Sequence, residues 1–194
     1  MTTDLITLAE GAVLSQFLGP FGKAFGEAAL KRAQQLGEQA VNHLKNVGRA
    51  PQPVEPKVLL PLVQGAVLET DEGLAAKWAA LLANAADPAQ QVQVQPAFVE
   101  ILRQLMPADT LVLNRLYFPP GPAGRGISAV DGVSDSEIYT AMGYYDGRLS
   151  FDNLIRLRLC SDGGRTPNSD KTIMWSTELG FRFMKAVTPP TPEG

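Results

Sequence analysis

One cysteine and one histidine in 194 residues leave little for disulfide or zinc chemistry. Cys160 alone cannot close an internal disulfide, and His43 cannot share a zinc site with several Cys or His ligands. Neither sign of charge prevails. Seventeen basic against 20 acidic residues give a net charge of −3, and both kinds are interspersed, so charge alone argues for no nucleic-acid partner. Long apolar runs are missing as well. The longest uncharged run near the N-terminus, Gly11 to Gly22, is too short to span a bilayer, and no basic start precedes it as a secretory signal would require. A Gly-rich phosphate loop, a nucleophile elbow and metal-ligand spacing are all absent. The expectation is a soluble, cytoplasmic, non-enzymatic chain with no catalytic residue, no metal and no cofactor.

What is present is the composition of a globular protein, 45% hydrophobic and 19% charged, in a chain long enough for one domain or two small ones. Residues 1–50 read as an N-terminal helical segment, either one long helix or a helical hairpin broken at Gly19-Pro20. Leu30, Ala33, Leu36, Ala40, Val41 and Leu44 recur there at helical spacing. Gly48 is the expected stop, and Pro51, Pro53 and Pro56 mark an extended connector. Residues 51–106 then read as a three-helix core. Val58, Leu59, Leu62, Val63, Ala66 and Val67 form its first apolar face, with Pro61 tolerable only near the first turn. Thr70 is the expected N-cap of the second helix, whose stripe is Leu74, Trp78, Leu81, Leu82 and Ala85. Gln95 or Pro96 opens the third, which carries Phe98, Ile101, Leu102 and Leu105.

Residues 107–188 change character. Ala108 to Tyr117 is helical, and Phe118 to Gly126 is a loop rich in Pro and Gly. Ser134 and Glu137 form a capping box for a helix ending near Met142, and Leu149 to Arg158 forms another. Leu159-Cys160 and Thr172 to Ser176 can pair as a hairpin across a polar loop, and Thr177 caps a last helix. That order predicts a winged-helix-like α+β module with a small β-hairpin. The fold class expected for the whole is mainly α, with a disordered tail over residues 189–194.

The residues of the core resemble those of the abortive infection alpha proteins of bacteria. Pro61-Leu62-Val63, Leu68-Glu69-Thr70-Asp71-Glu72 and Leu74 through Trp78-Ala79-Ala80-Leu81-Leu82-Ala83-Asn84-Ala85 stand in that family's order. Pro96 to Leu102, Leu105 to Asp109, Leu154 to Leu159 and Thr177 to Phe183 extend the likeness over most of the chain. The resemblance implies antiviral defence, in which an infected cell stops growing or dies before phage progeny are released. It implies no enzyme.

Candidate site residues each have a structural reading beside a functional one. Glu69, Asp71 and Glu72 could hold a cation or a basic partner, but cap and dipole chemistry accounts for them. Trp78 reads as core with an indole N–H to satisfy, and Asn84 as an amide that must find hydrogen bonds. Arg148, Arg156 and Arg158 lie on or beside the helix that would enter a major groove, with Asp146 and Asp152 offsetting their field. Leu14, Phe17, Leu18, Phe21 and Phe25 suggest an amphipathic segment that would insert into membrane, against packing on the core or another subunit. The partners expected are therefore a second copy of the chain and a protein or phage component. A DNA-binding regulator and a membrane-active effector are the alternatives.

Overall fold

The computed structural model describes residues 27–89, 92–118, 133–165 and 172–192. The proposed membrane-inserting segment, the Gly19-Pro20 break and most of the Phe118-to-Gly126 loop lie outside the described residues. Two units make up the chain: residues 1–100 with 186–194, and residues 101–185. The protein is mainly helical with a small three-stranded antiparallel sheet.

In the first unit, helix α1 occupies residues 27–46 and buries Ala33, Leu36, Ala40 and Leu44 of the stripe that its spacing predicts, whereas Leu30 is exposed and Val41 half-buried. Gly48 ends it with φ +71°, while the Arg49 N–H reaches the Leu44 carbonyl at 2.9 Å. Helix α2 (Pro56–Ala66) has Pro56 in its first turn and holds Pro61 in its interior. Pro61 is therefore not confined to the first turn, because the helix begins earlier than its apolar face suggested.

Helix α3 (Glu72–Ala85) is capped by Asp71, whose carboxylate accepts from the Leu74 N–H at 2.9 Å. Thr70, the expected cap, is displaced by its neighbour. The Glu69 carboxylate accepts from the N–H groups of both Thr70 and Asp71, at 2.8 and 2.9 Å, and so fixes the chain entering the helix. Trp78 is buried against α2 at Gly65, where even a Cβ would lie 2.5 Å from the indole. A residue without a side chain is what lets the two helices approach. Helix α4 (Pro96–Leu102) follows, opening at the proline.

In the second unit, helix α5 (Pro107–Tyr117) precedes a two-residue strand β1 (Val133–Ser134), helix α6 (Asp135–Met142), helix α7 (Tyr144–Arg156), strands β2 (Cys160–Arg165) and β3 (Thr172–Ser176), and helix α8 (Glu178–Ala186). The sheet order is β1-β3-β2, with Val133 opposite Met174 and Cys160 opposite Ser176. The expected hairpin is present and gains a third strand too short to show periodicity. The Ser134 hydroxyl caps α6 by accepting from the Glu137 N–H at 3.4 Å, whereas the Glu137 carboxylate pairs with Arg115 at 3.1 Å. Helix α7 starts five residues before Leu149 because Gly143, at φ +87°, turns the chain straight from α6 into α7. It also stops before Arg158, which takes φ +59° beyond the helix end.

Tyr117 fastens this unit. Its buried hydroxyl donates to the Leu159 carbonyl and accepts from the Thr177 N–H at 3.1 Å, and burial raises the phenol above its ordinary pKa. The Thr177 hydroxyl accepts from the Gly180 N–H at 2.9 Å, capping α8.

Candidate functional site

The residues singled out by sequence divide between the two units. Glu69, Asp71 and Glu72 sit at the start of α3, where Glu69 and Asp71 use their oxygens on backbone N–H groups. Trp78 is packed inside the first unit, and its indole N–H has no acceptor among the described residues. Asn84 is buried, and its amide donates to the carbonyls of Ala186 at 2.8 Å and Thr188 at 2.7 Å, holding the C-terminal segment of the same unit. Glu72 is the one exposed residue among these five.

Helix α7 is different. Its inner face buries Ser150, Phe151 and Leu154, while its outer face leaves Tyr145 86% and Leu149 57% exposed, and Tyr144 at its first position is 58% exposed. These exposed aromatic and aliphatic side chains stand within six residues of one another. Tyr139 of α6 and Tyr144 meet at a 58° tilt with ring centroids 5.0 Å apart, and Tyr145 meets Tyr144 edge-on at 5.6 Å. One pair of charges among them is internal, and a second arginine is held by neutral amides. Arg148 reaches Asp152 at 3.3 Å, and Arg156 reaches the Gln104 side chain at 2.9 Å and the Asn153 side chain at 2.6 Å. Arg158 is exposed beyond the helix end, and its carbonyl accepts from the Thr177 hydroxyl at 2.7 Å.

Behind α7 lies a buried polar seam. Asp109 accepts from the Met106 N–H at 2.8 Å and from the Asn153 amide at 2.7 Å; its second oxygen and the Ser150 hydroxyl have no partner among the described residues. Burial pushes the Cys160 thiol up to about 12, with the carboxylates of Asp109 and Asp162 adding to the shift. His43 sits half-buried on α1, its pKa lowered by burial. Among the described residues no three His, Cys, Asp or Glu side chains converge to hold a metal ion, and no helix is long and apolar enough to cross a membrane.

The family model described as abortive infection alpha matches residues 26–187. The chain belongs to the abortive infection alpha family. No curated protein and no solved structure matches it.

In this abortive infection alpha chain the sequence singles out Arg148 and Arg156 of the exposed face of α7, but not Tyr145 or Leu149 between them. Tyr144 and Tyr145 interrupt the polar stretch before Leu149 and break the apolar period that marks a buried helix, so they hid the helix start. A signal was available: Tyr145 and Leu149, four residues apart, do not fit the inward stripe of Phe151 and Leu154.

Cys160 supplies a direct check on the seam behind α7. Only the thiolate attacks, so lifting the pKa from 9.0 to about 12 cuts its population on the order of a thousandfold below pH 9. The native chain is expected to react with a thiol-specific disulfide reagent far more slowly than the urea-unfolded chain at pH 8. The sign for stability follows. The folded state holds the proton more tightly, so this contribution is complete below about pH 9 and drains away as pH rises toward 12. Labelling of native protein at the unfolded rate would contradict the buried environment.

Proposed function

We propose that this member of the abortive infection alpha family defends its host against phage through protein contacts rather than by catalysing a reaction, and that its second unit is a winged-helix module serving as a contact platform. The chain order helix, strand, helix, helix, strand, strand, with β3 between β1 and β2, supports the winged-helix reading. The observation that carries the rest is α7, whose outer face offers Tyr145 and Leu149 to solvent beside the exposed Tyr144 of its first turn, while Arg148 and Arg156 are engaged within their own unit. A groove-reading helix needs cations aimed at phosphate; here Asp152 neutralises Arg148, two amide side chains hold Arg156, and the exposed aromatics favour a protein interface.

Bacteria expressing the chain should yield fewer phage than controls, with infected cells ceasing growth before lysis. Replacing Tyr145 and Leu149 together by serine should abolish that protection without unfolding the protein, as judged by circular dichroism. An unchanged phage yield and unchanged cell survival across a broad phage panel would reject the reading.

A further inference from the structure

The outer face of α7 is complementary to itself. Tyr145, Arg148, Leu149, Asp152 and Arg156 stand at intervals of three, four, seven and eleven residues along one stripe of a straight helix, all exposed. Laying a second α7 antiparallel on the first, about a two-fold axis passing near residue 150, puts Arg148 of each copy opposite Asp152 of the other. The same placement brings the two Leu149 side chains together at the centre and sets Tyr145 of each copy against Arg156 of the other. A tyrosine ring and a guanidinium plane stack favourably. Every contact off the axis then occurs twice, as a closed two-fold interface requires. We propose that the chain forms a homodimer through α7, the Arg148–Asp152 pairs exchanging between copies around a Leu149 centre.

A second copy is the occupant that the charges specify. A polyanion meets Asp146 and Asp152 on this helix, and a partner of one charge sign leaves either Arg148 or Asp152 opposed by like charge. The inference rests on reading α7 as a protein-contact face and names the partner.

Sedimentation equilibrium of the full chain, with circular dichroism to verify folding, provides the test. Wild-type protein should move with concentration from 20.8 kDa toward twice that mass. Arg148→Asp places acid opposite acid at two symmetric positions and should weaken dimerisation by at least about tenfold. Adding Asp152→Arg in the same chain should restore it, because the exchanged pairs are again opposite in sign. Leu149→Lys brings two cations to the axis and should leave a folded monomer; it keeps the test decisive should Arg148→Asp misfold. A wild-type chain that stays at 20.8 kDa, an Arg148→Asp or a Leu149→Lys variant that associates as wild type does, or a double variant that remains monomeric would each overturn the proposal. Phage plating in parallel separates the two readings: a monomeric wild type that still protects removes the dimer alone, and a dimer that gives no protection removes the defence function alone.

Discussion

Trp78→Ala is expected to lower stability by about 3–5 kcal/mol, the range for deleting a fully buried large aromatic. The side chain is 1% exposed, and its six-membered ring lies where Gly65 leaves α2 without a side chain. No neighbour can swing into the vacated space from that point on α2, so the cavity term adds to the lost burial. The converse substitution is informative as well. Gly65→Ala forces a methyl against the indole and should cost about 1–3 kcal/mol by overpacking. In the Trp78→Ala background the same methyl has room, so the double variant should be less destabilised than the sum of the singles. Trp78→Phe should cost less than Trp78→Ala, because it keeps most of the packing and removes a buried N–H with no acceptor among the described residues. Urea unfolding followed by circular dichroism measures all four. An unfolding midpoint for Trp78→Ala equal to that of wild type would show that the indole is not the keystone of the α2–α3 packing.

Local chemistry was legible from sequence wherever a few neighbouring residues decide the outcome. Gly48 ends α1, Ser134 opens α6 and Thr177 opens α8, each through a bond to a backbone group a few residues away. The N-cap of α3 was misplaced by one residue because Thr70 and Asp71 are both good caps. Glu69 decides between them by occupying both N–H groups. Periodicity worked where a helix buries one stripe, as over Ala33 to Leu44 of α1, and failed at Leu30, which is exposed, and at α7, whose outer face carries apolar residues that do not belong to the core. Strand β1 could not be read at all, since two residues have no period and owe their conformation to pairing with Met174 and Ile173. For Trp78 and Asn84 the residue types were informative but their partners were not. The Asn84 amide finds its acceptors more than a hundred positions away in sequence, at Ala186 and Thr188, and no local pattern encodes that distance.

Arg49→Ala is expected to destabilise the first unit by about 3–5 kcal/mol, as breaking a buried ion pair does when one charge stays behind. The guanidinium of Arg49 meets the Asp87 carboxylate at 2.7 Å, with the two side chains only 11% and 1% exposed. The other Asp87 oxygen accepts from the Ala89 N–H at 3.0 Å, so the carboxylate is held in place and cannot turn toward water. Around this pair the Gln52 N–H bonds the Ala86 carbonyl at 2.8 Å, the Gln52 amide bonds the Asp87 carbonyl at 3.1 Å, and a second Arg49 nitrogen reaches the Thr191 carbonyl at 3.2 Å. Removing Arg49 therefore strands a charge at the point where the connector after α1, the end of α3 and the C-terminal segment are joined. Replacing both partners with apolar residues of similar volume, Arg49→Met with Asp87→Leu, should cost far less than Arg49→Ala alone, because no uncompensated charge remains. Salt distinguishes this pair from one at the surface. The loss on Arg49→Ala should be nearly the same in low and high salt, whereas any contribution of the exposed Arg182–Glu178 pair should fade as ionic strength rises. Denaturant unfolding at the two ionic strengths measures the difference. A penalty for Arg49→Ala that disappears in high salt would mean that the carboxylate is reached by solvent, and the joint would then be held by the Gln52 and Asn84 hydrogen bonds instead.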